Sequence, residues 1–504
     1  MSAPLSWNRA LTHSQVWLLC SAAMMLHILP LLMADHPFLD DFSRQHLASS
    51  GWVALGRPLT SLLYSGLGFA SGAVNIYPLP LLMAVVISGY ALAHLIRYWF
   101  TTPTFSSLFV VLPLWLQPFF LQNLSYQYDG AAMALSMAAS VGAIALGVQR
   151  WRAWCGGTLL VLVAAGFYQV SINLFAGLCC IEVVRRIIDG SGVRQIWQLM
   201  WLRFSQLVVG CLLYYATCAW MIEGFYTSGL LPFDERWLGQ VLQRLGTVTE
   251  TVGLLMTPAL QGLAIALVGV ATWQLVIVLR RVQQRASSRV ECVGLWMILL
   301  GMIVVALALI PGLVLFLERF QGEVRVMMGL GSVIVMLLLF VHGALARAPR
   351  MQLLVLAVPL VFMLSFSFAY GRVMVLQKAL HQSVSQGLVR DLAPYADLAP
   401  FKHVYLIDFW LKKPWIPGAE GTLRAMPAVS ALFPNSYLVL PEMLPLVGID
   451  DFRLFFDKPP LSRRQVMAIS PLALVRSQFY DIHQVGNDAY VLMKAPAGFE
   501  EVAP

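Results

Sequence analysis

The sequence predicts a polytopic α-helical membrane protein of about eleven transmembrane helices, followed by a small soluble α/β domain outside the membrane. Three observations carry this. Of the 504 residues, 59% are hydrophobic and only 12% are charged, about half the roughly 25% charge of a soluble chain. Apolar stretches of about 18 or more residues, each long enough to cross a bilayer as a helix, recur as far as residue 370. The composition then changes: the first lysine of the chain is Lys378, and residues 372–504 hold 13 basic and 12 acidic residues and no cysteine.

The expected spans are 15–33, 76–99, 104–121, 130–148, 154–166, 168–184, 197–222, 253–279, 291–317, 326–346 and 351–370. The first is not read as a cleaved signal peptide, because no small-x-small site follows it and many spans come after it. The pair at 154–184 is short for two spans and reads as two short or tilted helices around Gly166. Arginine placement orients the set. With the N-terminus in the cytoplasm, 14 of the 20 basic residues before position 372 fall inside and 10 of the 13 acids fall outside. This is the positive-inside pattern. The net charge of +8 is therefore mostly topological and needs no nucleic-acid partner; the remainder suits anionic lipid headgroups. All seven cysteines lie in or beside apolar spans, which argues against a disulfide framework.

The division expected is 1–371, a transmembrane catalytic domain, and 372–504, a soluble α/β domain. The latter opens on the helical stretch VMVLQKALHQSVSQGLV. KHVYLIDF and SYLVLP are strand-like, and YDIHQVGNDAYVLM reads as a hairpin around Gly486-Asn487. Two outside loops are long. Residues 34–75 include FSRQHLASSGWVALGRPLTSLLYSGLGF, an amphipathic stretch expected as one or two helices along the membrane surface; residues 223–251 form the second.

The outside face gathers the polar chemistry. Asp35, Asp40, Asp41, Arg44 and Arg57 come from the first loop. SYQYDG contributes Tyr126, Tyr128 and Asp129, and GFYQVSIN contributes Tyr168 and Gln169. LERFQGEVR contributes Glu318, Arg319, Glu323 and Arg325. Acids at a bilayer edge among arginines suit a site that handles an anionic, lipid-linked group. Moving a sugar from a lipid phosphate to a hydroxyl calls for a carboxylate base and for cations at the departing phosphate, where arginine offers a bidentate fork. An adjacent like charge raises the pKa of one acid of a pair, which suits a base. Plainer roles stand beside these. Asp40 and Asp41 can point apart as solvated acids; Arg57 can snorkel to headgroups; Asp129 can cap the helix that follows it; Arg319 and Arg325 can pair with Glu318 and Glu323. Asp40, Asp41 and Glu323 could together ligate Mg²⁺ or Mn²⁺, although no spacing demands it.

DDFSR, then GRPL, then YQYDG, then FYQVSIN: in this order the motifs resemble the serotype-converting O-antigen glucosyltransferases of bacteria and their phages, within the GT-C class of polytopic glycosyltransferases. The resemblance covers roughly residues 30–350. It implies transfer of glucose from undecaprenyl-phosphate glucose to an O-antigen repeat of lipopolysaccharide, with inversion, on the periplasmic face of the inner membrane. It also implies a small flippase and a donor-making glucosyltransferase as functional partners. By motif position, Asp40 or Asp41 is the expected base. Arg57, with Arg44, Arg319 and Arg325, would serve the donor phosphate, and Tyr126, Tyr128, Asp129, Tyr168 and Gln169 would contact substrate. A transporter would more often place acids or broken helices at mid-membrane; an O-antigen polymerase or ligase would carry its key arginines and histidines in one large late loop. The C-terminal domain is expected to grip the acceptor through aromatics such as Tyr405, Trp410, Trp415 and Tyr437, its acids Asp408, Asp450, Asp451 and Asp457 being scattered as on a solvated surface.

Overall fold

The computed structural model describes residues 9–320, 322–396, 401–411, 413–433, 436–449 and 460–499. The helices in chain order begin with α1 (His13–Ala34), α2 (Asp41–Leu47), α3 (Pro58–Gly68), α4 (Leu79–Trp99), α5 (Phe105–Val111), α6 (Pro113–Leu116), α7 (Phe120–Ser125) and α8 (Asp129–Ala145). They continue with α9 (Trp151–Phe167), α10 (Ser171–Ile188), α11 (Val193–Thr217), α12 (Trp237–Gly253), α13 (Pro258–Arg285), α14 (Arg289–Ala308), α15 (Gly329–Ala344) and α16 (Pro349–Ala396). Two short helices follow, α17 (Glu420–Ala425) and α18 (Arg463–Ile469).

Among the described residues, six helices are long and apolar enough to cross a membrane: α1, α4, α11, α13, α14 and α16. Four shorter apolar segments, Phe105–Leu116, α8, α9 and α15, accompany them. This is a mostly helical polytopic membrane protein; the number of crossings stays an expectation. One expected span, 104–121, is a broken rod. Pro113 opens α6 and Pro118 follows its end, because proline removes a backbone donor and starts helices rather than continuing them. The expected boundary at 371–372 falls inside one helix. α16 runs unbroken through it for 48 residues, about 72 Å at 1.5 Å per residue and more than twice the roughly 30 Å hydrocarbon core.

Packing divides the chain into two compact units, one of Met1–Leu32 with Ser50–Phe368 and one of Met33–Ser49 with Ala369–Pro504. The first is the helical bundle, in which α4, α8, α9, α10 and α11 pack closely in sequence. Among its described residues the second holds six strands: β1 (His403–Ile407), β2 (Trp410–Leu411), β3 (Ser436–Tyr437), β4 (Val475–Arg476), β5 (Tyr480–Val485) and β6 (Asp488–Met493). Four form a sheet of order β1-β6-β5-β4. β5 and β6 are the expected hairpin, with Val485 opposite Asp488 and Gly486 at φ +62° in the two-residue turn, a conformation that favours glycine. β1 joins β6 in parallel. Val384, Leu388 and Leu392 of α16 pack with Val404, Leu406, Ile482 and Val491 of the sheet to form the core of this unit. SYLVLP is a strand only at Ser436–Tyr437, where β3 pairs with β2, and Pro441 opens a 3-10 helix just after it.

Candidate active site

In the first unit, four separated motifs build one polar cluster. GRPL is the first. Gly56 sits at φ +70°, and a Cβ there would come within 2.6 Å of the Tyr214 hydroxyl, so only glycine admits this turn. Pro58 starts α3, and Arg57, at its N-cap, is held by its N–H bonding Trp52 O at 2.8 Å. The Arg57 side chain points into the cluster. Its Nη1 donates to Asp129 Oδ1 at 3.3 Å, its Nε donates to Gln169 Oε1 at 3.3 Å, and its guanidinium lies 4.8 Å from the centre of the Tyr168 ring.

YQYDG supplies the facing wall. Asp129 opens α8, where the positive end of the helix dipole favours an anion. Its Oδ1 also accepts from Trp52 Nε1 at 2.9 Å. A Cβ on Gly130 would meet the carbonyls of Asn123 and Leu124 at 3.1 Å, so glycine lets α8 start tightly against α7. Tyr128 stacks on Tyr64 (5.6 Å), and Tyr64 on Trp52 (4.9 Å). The three buried rings form an apolar tier behind the Arg57–Asp129 pair. FYQVSIN contributes Tyr168 and Gln169 from the break between α9 and α10. Gln169 Nε2 donates to Leu55 O and to the Tyr214 hydroxyl, both at 2.8 Å, so its amide locks the GRPL turn in place.

The fourth piece is Glu323–Arg325. Arg325 N–H donates to Gln122 Oε1 at 2.6 Å, and Asn123 Nδ2 donates to Arg325 O at 3.1 Å, which pins this turn on α7. Arg325 then reaches Tyr126 through Nη1 (2.6 Å to the hydroxyl) and pairs with Glu323 at 2.7 Å. The charges of Arg325, Arg57, Glu323 and Asp129 all act on Tyr168, which is buried among them. Sequence reasoning named Arg57, Arg325, Tyr126, Tyr128, Asp129, Tyr168 and Gln169, and the fold brings them together. It missed Trp52, Tyr64 and Tyr214. Arg319 is not in the cluster; it is exposed, and its N–H donates to Ser228 Oγ at 3.1 Å. Asp129 forms an ion pair rather than a simple helix cap, and Arg325 pairs with Glu323 across one 3-10 turn.

Asp35, Asp40, Asp41 and Arg44 belong to the second unit. The two adjacent acids diverge. Asp41 is fully buried, and its Oδ2 accepts the Phe38 N–H at 2.9 Å; Asp40 is exposed at the start of α2. Between Phe38 and Asp40, Leu39 adopts φ +48°, a left-handed conformation costing a bulky residue roughly 1–3 kcal/mol. Packing against Phe42, Tyr437, Leu440 and Met443 holds it there. Burial, with the Asp41 charge beside it, pushes the Tyr437 phenol above its ordinary range. His36, in the same turn, is held well below 6.5 and neutral by burial and by the neighbouring His381 and Lys378. Lys378 pairs with Asp35 at 3.9 Å. Arg44 is buried on the inner face of α2. Asp40 and Asp41 do not converge as metal ligands, Glu323 is taken by Arg325, and no group of three His, Cys, Asp or Glu side chains placed to hold a metal occurs among the described residues.

Of the aromatics expected on the surface of this unit, Tyr437 is buried, Trp410 packs on its cluster, and Tyr405 stacks on Tyr490 at 5.1 Å. Asp408 pairs with Arg463; Asp450, Asp451 and Asp457 lie outside the described residues.

Comparisons with known proteins bear on these clusters. The chain is 24% identical over 204 residues to an uncharacterised 55.3 kDa protein encoded in the gtrB 5′ region of Salmonella phage P22. That match covers 40% of this chain and 42% of the phage protein, so the chain spans less than half the length of that relative. No solved structure matches. The family model of glucosyl transferase GtrII matches residues 29–336, more than half of the chain and all four motifs of the polar cluster, and the protein belongs to that family.

Proposed function

We propose that the protein is a membrane glucosyltransferase that takes glucose from undecaprenyl-phosphate glucose and places it, with inversion, on an O-antigen repeat at the periplasmic face of the bacterial inner membrane. The observation that carries the reading is the cluster of Arg57 and Arg325 against Asp129, Glu323 and Tyr168, assembled from motifs that all fall inside the family match. Two guanidinium groups at a span boundary suit a departing lipid phosphate: each now bonds a carboxylate, and each would exchange it for phosphate oxygens. Arg57 keeps 20% of its side chain exposed, so the exchange needs no unfolding of the cluster. The stacked Trp52, Tyr64 and Tyr128 exclude water behind it, which strengthens charge interactions in front.

Asp40 is assigned as the base that takes the acceptor hydroxyl proton as the sugar carbon–phosphate oxygen bond breaks. Asp41 fixes the strained turn that presents it, which answers why two acids stand side by side: one faces solvent and the other ties the loop. A flippase and a donor-making glucosyltransferase would supply the lipid donor on the correct face.

The test is transfer by the purified protein in nanodiscs. Polyprenyl-phosphate glucose should donate to O-polysaccharide, and nucleotide-glucose should not. Asp40→Asn should cut kcat by about 10²-fold or more, the scale of a lost general base, without changing thermal stability. Asp41→Asn should lose both activity and stability. Absence of transfer from the lipid donor would overturn the reading; full activity in Asp40→Asn would remove that residue from it.

A further inference from the structure

We propose that the second unit carries a saccharide-binding pocket of its own, formed by residues between Lys413 and Ser430 together with Phe499. The inference rests on the reading above in one respect, that the acceptor is a polysaccharide. The pocket has a volume of about 400 Å³ and is lined by Lys413, Trp415, Glu420, Arg424, Ser430 and Phe499 among others. That is within the roughly 300–1,000 Å³ of small-molecule sites.

Its lining alternates two kinds of surface. Trp415 is half-buried, its ring anchored 5.9 Å from Phe479 on the side of the domain core. Phe499 gives a second ring, with Lys413 Nζ 4.6 Å from its centre. Across the opening, Arg424 Nη2 donates to Glu420 Oε1 at 2.6 Å, and both side chains are more than 70% exposed. A pyranose ring presents an apolar face of C–H groups and an edge of hydroxyls. The C–H face packs on the electron-rich face of an aromatic ring. Each hydroxyl both donates and accepts, so neighbouring hydroxyls are matched by a donor and an acceptor side by side, which Arg424 and Glu420 supply. A lipid chain would offer this polar rim no hydrogen-bond partner. Of the four aromatics the sequence offered for stacking, Trp415 is the one in a pocket; the other three are taken up by packing.

The experiment uses the full chain in nanodiscs. Direct binding of purified O-polysaccharides is measured against dextran, and acceptor kinetics are measured where transfer occurs. Arg424→Ala and Glu420→Ala lie on the exposed rim and cannot unfold the domain; Trp415→Ala removes the platform, and Trp415→Phe restores part of it. Each alanine variant should weaken polysaccharide binding and raise the acceptor KM about tenfold. kcat at saturating acceptor and the donor KM should hold within about twofold. Unchanged binding and KM in the two rim variants overturn the pocket, as does a fall in kcat with KM unchanged. If the wild type binds polysaccharide but transfers nothing from the lipid donor, the proposed reaction fails while the pocket stands. If the wild type binds no polysaccharide, the pocket fails.

Discussion

At the scale of single residues, the polar cluster turns on the geometry of Arg57. Its Nε and Nη1 point to two different acceptors, Gln169 and Asp129, and a phosphate would use the same planar fork. Lysine keeps the charge but not the fork. Arg57→Lys should therefore lose one charge-assisted hydrogen bond, worth about 1.5–3 kcal/mol, and reduce kcat/KM for the lipid donor by about 10- to 100-fold. Steady-state kinetics with a varied donor check this, and undiminished kcat/KM removes Arg57 from the phosphate. GRPL, YQYDG and FYQVSIN were legible in the sequence because each packs its glycine, proline and functional side chain into a few consecutive positions. Trp52, Tyr64 and Tyr214 were not. Each reaches the site only through tertiary folding, Trp52 across 77 positions to Asp129 and Tyr214 across 45 to Gln169. Nothing local distinguishes them from other aromatics in an apolar chain.

At the scale of elements, a second buried charge site holds the bundle together. Arg203 of α11 pairs with Glu182 of α10 at 2.7 Å, both side chains 2% exposed. The same guanidinium donates to Ala143 O and Ile144 O, at 3.1 Å each, satisfying carbonyls at the end of α8. Gln206 of α11 accepts from Arg203 at 2.7 Å and donates to Trp154 O of α9 at 3.0 Å, and Tyr98 of α4 donates to Glu182 at 2.5 Å. Five helices thus share one network. Removing one partner strands a buried charge, at a cost of about 3–5 kcal/mol. Arg203→Leu should lower the melting temperature in detergent markedly, and Glu182→Gln combined with it should recover much of the loss. A single variant as stable as the wild type would show that the network is not what fastens these helices. The sequence gives no sign of this network, since a tally of arginines records the side of the membrane and not the partner. Glu182, Arg185 and Arg186 put three charges into the 18 residues of α10, which is why it, although a helix as expected, does not stand among the long apolar spans.

At the scale of the whole molecule, the open quantity is the number of crossings, and its parity decides the side on which residues 372–504 lie. Every expected span has a helical counterpart, with 104–121 broken by its prolines and 351–370 extended into the single helix α16. Hydropathy could place these segments because burial in lipid demands long apolar runs. It read 351–370 as a span and 373–389 as a separate helical stretch and could not see that they are one helix, since a helix leaving the membrane changes its composition without changing its backbone. The sheet hairpin was legible from its alternation and its Gly-Asn turn. The grouping of residues 33–49 with the C-terminal residues was not, because it depends on contacts across more than 300 positions, such as Lys378 with Asp35. The arginine bias predicts a cytoplasmic N-terminus, and eleven crossings then place the C-terminus outside. A phosphatase active only in the periplasm, fused after Pro504, should be active, and a fluorescent protein that matures only in the cytoplasm should be dark there. A second pair of fusions at Ser191, between α10 and α11, tests the short helices separately. If α9 and α10 each cross, this position is cytoplasmic and the fluorescent fusion lights up. A periplasmic signal at Ser191 with a cytoplasmic one at Pro504 would mean that this pair contributes one crossing rather than two; it would put residues 372–504 opposite Asp40, although residues 33–49 and 369–504 form one compact unit, and so would overturn the expected set of spans.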